Sequence, residues 1–148
     1  MKREAYQMIT MIAFVGALAV AAQAQTNGRI ALIANIPFQF NVGNKSLPAG
    51  EYTVLSISDD ASSVLLRIQS RDGKNSAMVQ TSTVEGKGQE RARLVFHRYG
   101  NQYFVAQAWV DRQKRGLEAP KSRAERAAER ELTAVKMVTE SVTVMARH

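Results

Sequence analysis

The 148-residue sequence has no cysteine, two histidines and three prolines, and aromatic residues make up only 7% of it. Without cysteine the chain forms no disulfide, offers no thiolate for a metal or for nucleophilic attack, and cannot carry a lipid on an N-terminal cysteine. Apolar burial must therefore hold the fold together, and the length suits one domain with one core.

Long hydrophobic runs are also scarce, and the one at the start of the chain is short. Met8–Ala22 is an uncharged, mostly apolar run of 15 residues, fewer than the roughly 20 that a membrane-spanning helix needs. Lys2 and Arg3 precede this run, and Ala22-Gln23-Ala24 follows the small-x-small pattern of a cleavage site. These features predict a secretory signal peptide over residues 1–24.

Cleavage between Ala24 and Gln25 would leave residues 25–148 as a single exported domain, periplasmic or secreted, with no transmembrane span. The net charge is +7 at pH 7. An exported protein does not normally meet nucleic acid, so the positive charge points to an anionic polymer of the cell envelope or to lipid head groups as the partner. Because Lys and Arg are spread along the chain, a solvated surface without a specific partner is the other interpretation.

The strongest pattern lies between residues 30 and 42, where apolar residues occupy every second position. This alternation is typical of a strand with one buried face. The residues predicted to be buried are Ile30, Leu32, Ala34, Ile36, Phe38, Phe40 and Val42. Pro37 has no N–H group, so the strand should lie at a sheet edge or donate no hydrogen bond at that point.

Further strands follow at intervals of roughly ten residues, separated by turns that contain glycine. Turns are expected at Gly43-Asn44, Leu47–Gly50 and Arg71–Asn75, the last around Asp72-Gly73. Strands are expected at 51–57, 63–70, 76–84, 91–99 and 103–110. The sequence therefore predicts an all-β domain, a small sandwich or barrel of about seven antiparallel strands.

The hairpin of residues 91–110 contains the candidate binding site, and its register is ambiguous. If Gly100-Asn101-Gln102 forms a three-residue loop, Tyr99 faces Tyr103, and one face combines basic, amide and aromatic groups. The members of this candidate site for an anionic or glycan ligand are Arg93, His97, Tyr99, Tyr103, Gln107 and Trp109.

The second register uses Gly100-Asn101 alone as a type II′ turn, so that Tyr99 pairs with Gln102. Tyr103, Gln107 and Trp109 then move to the core face, because a shift of one residue turns a whole strand over. Turn chemistry favours the second register and the polarity of the faces favours the first, so both stay open.

The C-terminal part changes from loop to helix to strand. Residues 111–121 are charged and contain Gly116 and Pro120, as in a surface loop. Ser122-Arg123-Ala124-Glu125 is a capping box, in which Ser122 caps the helix and Glu125 bonds back to it. A short helix over about residues 123–131 is therefore predicted. β-branched residues then predict a terminal strand over about 133–145, which would pair with the strand of residues 30–42.

No pattern of residues points to catalysis. There is no Gly-x-Ser-x-Gly motif, no metal-ligand spacing of His with carboxylates, and no glycine-rich phosphate loop. We therefore expect a protein that is not an enzyme, without cofactor or metal. Two alternatives are an uncharacterised hydrolase that uses His97 with a nearby Ser or Asp, and a structural or assembly partner in the cell envelope.

Three motifs occur in order along the chain and cover about a third of the part after the signal peptide. They are IPFQFNVG…LPAGEY from Ile36, LVFHRYGNQYF from Leu94 and PKSRAER from Pro120. In these motifs the sequence resembles an uncharacterised family of small exported proteins of soil bacteria. The resemblance implies export but no known activity, so it assigns no catalytic or binding residue.

Overall fold

The computed structural model describes residues 31–57, 63–88 and 91–147. The predicted signal peptide and its cleavage site at Ala24 and Gln25 lie outside these ranges. The described elements are β1 (Ala31–Ile36), β2 (Phe40–Val42), β3 (Lys45–Leu47), β4 (Gly50–Ile57), β5 (Val64–Ser70), β6 (Ser76–Glu85), β7 (Arg93–Tyr99), β8 (Gln102–Trp109), β9 (Arg115–Glu118), α1 (Arg123–Ala134) and β10 (Glu140–Arg147).

Eight of the strands form a closed antiparallel barrel. Their order around the ring is β8-β7-β10-β1-β4-β5-β6-β9, and β9 pairs with β8 to complete it. The β2–β3 hairpin adds to β8, where Asn41 pairs with Phe104 in parallel orientation. The predicted all-β fold with one C-terminal helix is confirmed, and of the two predicted architectures the chain forms the barrel.

The first strand follows the predicted alternation but is broken by its proline. Leu32, Ala34, Ile36, Phe40 and Val42 are buried, and Phe38 packs half-buried against the same core. Ile30, the first residue of the predicted face, lies outside the described residues. Pro37 separates β1 from β2, so that its missing N–H falls between strands. Of the two alternatives predicted for Pro37, the structure has the second, because β1 lies between β4 and β10 and not at an edge.

The 91–110 hairpin uses both candidate registers, one in each half. At the turn Gly100 has φ +62° and Tyr99 pairs with Gln102, as the two-residue turn requires. Phe96 pairs with Val105, but Val95 pairs with Gln107, so Ala106 is an extra residue in a β-bulge. On the side of the bulge away from the turn, the strands pair in the register predicted for the three-residue loop.

The predicted loop of residues 111–121 contains a strand that the sequence pattern does not reveal. β9 is four residues long, and only Gly116 and Leu117 within it are buried. Its position between β6 and β8 closes the ring. The prediction of an unstructured surface crossing is therefore wrong for Arg115–Glu118.

The helix and the last strand differ from prediction in their bounds. α1 extends to Ala134, three residues beyond the predicted end, and β10 begins at Glu140 rather than near residue 133. β10 pairs with β1, as predicted, and also with β7. In the part of the chain that the structure describes, no helix has both the length and the apolar character needed to cross a membrane.

Trp109 lies on the outer face of the barrel in a space made by two glycines. A Cβ atom at Gly116 or Gly86 would lie 2.6 Å from the nearest atom of the indole ring. Gly116 is the cross-strand partner of Trp109. The absence of side chains at both positions lets the ring lie flat against the strands, where it is only 7% exposed.

We expect Gly116→Ala to lower the free energy of unfolding by about 1–3 kcal/mol, because the new methyl group overpacks the indole. Urea unfolding followed by far-UV circular dichroism measures this directly, and the signal remains usable in variants that lack Trp109, the single tryptophan. In the background of Trp109→Leu, Gly116→Ala should cost much less. Equal costs in the two backgrounds would contradict the contact.

Candidate functional site

The six residues of the predicted binding face do not form one surface. Arg93, His97, Tyr99, Gln107 and Trp109 lie on the outer face of β7 and β8, as cross-strand pairing places them. Tyr103 is cross-strand to Arg98 and lies on the opposite, core-facing side. The bulge at Ala106 is the cause, because it turns the first half of β8 over relative to the second.

Tyr103 closes one end of the barrel instead of lining an outer site. Its ring stacks on Phe38, with centroids 3.9 Å apart and planes 15° apart. The Arg98 guanidinium lies 5.5 Å from the centroid of the Tyr103 ring. Phe38 in turn meets Phe96 edge to face at 5.1 Å. Tyr103 is therefore part of an aromatic layer that covers the core.

Arg93, Gln107 and Trp109 form a second, separate group. The Arg93 guanidinium lies 5.1 Å from the centroid of the indole ring. The indole Nε1 donates a hydrogen bond to Oε1 of Gln107 at 3.0 Å. Since the ring is nearly buried, it does not present the open aromatic platform on which a sugar could stack.

His97 and Tyr99 converge on a carboxylate from the helix. The Tyr99 hydroxyl donates to Oε1 of Glu125 at 2.9 Å, and Nδ1 of His97 lies 2.8 Å from the same oxygen. A carboxylate only accepts, so His97 carries its proton on Nδ1 in this contact. Glu125 is 3% exposed, while the His97 side chain is 30% exposed. The three residues form a buried polar cluster, which we call the Glu125 cluster.

The position of Glu125 in the first turn of α1 suits a buried carboxylate. Ser122 caps the helix, with its Oγ accepting from the Glu125 N–H at 3.1 Å. The N-terminal end of a helix also favours negative charge. The prediction that the Glu125 side chain bonds back to the cap is wrong, because the side chain bonds to the barrel instead.

Apolar contacts and a second polar bond hold α1 beside the Glu125 cluster. Ala128 and Leu132 are buried against Tyr99 and Phe104, whose rings meet edge to face at 5.8 Å. Oδ1 of Asn44, in the β2–β3 turn, accepts from the Ala124 N–H at 3.1 Å. These contacts fix which side of α1 faces the barrel and which side faces solvent.

The solvent-facing side of α1 carries three exposed arginines, Arg123, Arg126 and Arg130, which we call the arginine ridge. They recur at i, i+3 and i+7, opposite the buried positions 125, 128 and 132, and span about 10 Å along the axis. Their guanidinium groups make no hydrogen bond or ion pair with any other described residue. The nearby carboxylate of Glu129 is bound by Lys121 at 2.7 Å.

The contact between Glu125 and the barrel was not predicted from the sequence. A signal for it exists, because Glu125, Ala128 and Leu132 share the spacing of one helix face, whereas Ala124 is exposed. His97 is the catalytic residue of the hydrolase hypothesis, and its contact with Glu125 resembles half of a triad. Ser141 is its cross-strand partner on β10, but across the described ranges no hydrogen bond joins the two side chains. A hydrolase that uses His97 stays a prediction.

Comparison of the chain with protein-family models, with curated proteins and with solved structures gives no match in any of the three. The resemblance drawn from the three sequence motifs therefore stays a prediction.

We expect Glu125→Ala to lower the free energy of unfolding by about 2–4 kcal/mol, because it removes two hydrogen bonds to a charged group and leaves the Tyr99 hydroxyl without its partner. Glu131→Ala is the matched control on the exposed part of the same helix, with an expected change below about 0.5 kcal/mol. Urea unfolding measures both. Similar losses in the two variants would contradict the structural role of the cluster.

Stability should also fall at alkaline pH. Burial raises the pKa of Tyr99, and the hydrogen bond to Glu125 and the nearby carboxylate charge raise it further. A tyrosine with a raised folded pKa stabilises fully below its unfolded pKa of about 10, and this contribution is lost as pH rises through the folded pKa. The free energy of unfolding should therefore decline above about pH 10. In Tyr99→Phe the decline should be shallower, and an unchanged slope in urea unfolding would contradict this assignment.

Proposed function

We propose that this chain is an exported, non-catalytic binding module of the cell envelope or extracellular space, and that it binds an anionic polymer or an acidic glycan through the arginine ridge. Export is supported by the signal-peptide features of residues 1–24. The one observation that carries the ligand class is the row of three exposed guanidinium groups on a helix fixed to the barrel, none of them paired with a residue in the described ranges. A guanidinium binds carboxylate, phosphate and sulfate groups by two parallel hydrogen bonds.

The geometry of the ridge suits a repeating ligand. Successive arginines are separated by about 4.5 Å and about 6 Å along the helix axis. Acidic groups that recur along a polymer can bind successive arginines. Because the helix backbone is already ordered, each further contact adds to the binding free energy without a new entropic cost in the backbone. The Glu125 cluster supplies this pre-organisation, because it holds the opposite side of α1 against the barrel.

Charge, rather than stacking, supplies the recognition. Trp109 and Tyr99 are buried, and Tyr103 covers the barrel end. Of the predicted site residues, only Arg93 offers a cation, and it lies over the indole. We therefore assign the ligand by its acidic groups and expect binding to weaken as salt shortens the Debye length to about 3 Å near 1 M.

The test compares two triple variants that remove the same charge. Arg123, Arg126 and Arg130 are changed to Gln in one, and Lys74, Lys87 and Arg115, which are exposed on the barrel, are changed to Gln in the other. Binding to an immobilised polyuronate should weaken about tenfold in the ridge variant, at roughly 0.5 kcal/mol for each arginine contact. The barrel variant should bind nearly as the unaltered protein does.

A neutral dextran of similar length is the ligand control and should bind neither protein. Equal weakening in the two variants would mean that net charge, not the ridge, draws the polymer. Absence of binding to polyuronate, polyphosphate and sulfated glycans would overturn the proposed function.

A further inference from the structure

The turn after α1 exposes three large apolar side chains together. Val135, Met137 and Val138 are 64%, 59% and 82% exposed. We call residues 135–138 the apolar tip. Single exposed apolar residues are ordinary on protein surfaces, but three within four residues on one turn mark a contact site for an apolar medium or partner.

The apolar tip is an ordered turn. Lys136 N–H donates to the Thr133 carbonyl at 3.0 Å and Met137 N–H donates to the Leu132 carbonyl at 3.1 Å. These two bonds, with Lys136 at φ 56°, make a Schellman cap at the end of the helix. The side chains are therefore presented by a fixed backbone, as α1 itself is fixed by the Glu125 cluster.

A cation occupies the centre of this apolar turn. The left-handed position of the cap favours glycine, yet the chain has Lys136 there, at a cost in backbone strain. Lys136 has no ion pair with the described part of the chain, and the nearby carboxylate of Glu140 is bound by Arg98 at 3.5 Å. On the last turns of α1, Arg130 and Glu131 are both exposed and carry opposite charges, so Lys136 sets the sign of the charge at the tip itself.

We infer that the apolar tip docks on an anionic phospholipid surface. Apolar side chains enter the boundary between headgroups and acyl chains, while a lysine within them reaches the phosphate groups. Each cation near an anionic leaflet adds to the attraction. A neutral protein groove would bury the valines and the methionine but would offer Lys136 no negative charge. An anionic lipid surface provides both, so charge complementarity favours the lipid. This site is separate from polymer binding by the ridge and does not depend on it.

The experiment is flotation of the purified protein with vesicles of phosphatidylcholine alone and of equal parts phosphatidylcholine and phosphatidylglycerol. The unaltered protein should float with the anionic vesicles only. Met137→Ser with Val138→Ser should weaken binding by about tenfold or more. Met78→Ser with Met145→Ser is the matched control, because these methionines lie on barrel strands and are exposed to nearly the same extent as Met137, and it should float normally.

Lys136→Gly separates binding from folding. It relieves the left-handed backbone and should raise stability in urea, but it removes the cation and should reduce flotation on anionic vesicles. Polyuronate binding should be unchanged in the tip variants, so failure of this inference is distinguishable from failure of the proposed function. Equal flotation of the tip and control variants, or equal binding to neutral vesicles, would overturn the inference. Self-association that is lost in Met137→Ser with Val138→Ser would assign the tip to a second copy and also overturn it.

Discussion

The pairing of β10 with both β1 and β7 is the constraint on which the rest of the structure depends. Without it, β1 and β7 would each have an unpaired edge, the first and last described strands at the two ends of the chain would not meet, and Leu94 and Phe96 would lose part of their cover. A chain without cysteine has no covalent means of holding these ends together. Hydrogen-bonded closure over a continuous apolar core takes that role, and it needs the last strand to return to the first.

This closure also determines where the helix lies. The chain leaves β9 beside β8 and must reach the space between β7 and β1, so its connection crosses the outside of β7. A helix on that route needs an anchor on the outer face, and Glu125 with Tyr99 and His97 provides one. Two of the residues that the sequence suggests for ligand binding, His97 and Tyr99, are thus used to attach α1. The two surfaces that we propose for binding, the arginine ridge and the apolar tip, both lie on the connection and not on the barrel.

The sequence predicted the local structure well, because local structure follows from side-chain alternation and turn chemistry. The even-numbered face of β1 and β2, the cap at Ser122 and the return of the last strand to the first were all expected and are found. β9 was not, since four residues with Gly116 among them carry no alternating pattern. The hydrogen-bond partner of the Glu125 side chain could not be predicted either. A glutamate at this position suits both a local bond to the helix cap and a distant bond to the barrel.

The hairpin of residues 91–110 explains why the candidate site resisted prediction. Two rules conflicted there: glycine at the turn favoured one register, and the polarity of the faces favoured the other. The chain satisfies both rules by placing one extra residue, Ala106, in a β-bulge. The Ala106 carbonyl accepts a hydrogen bond from the Ala119 N–H at 2.8 Å, outside the pairing of β7 with β8. A single-register hypothesis therefore places either Tyr103 or Trp109 on the wrong face. Where two local sequence signals favour registers that differ by one residue, a β-bulge between them allows both registers to form. The bulge also changes which side chains of the strand are exposed, and a hypothesis about a binding face depends on those side chains.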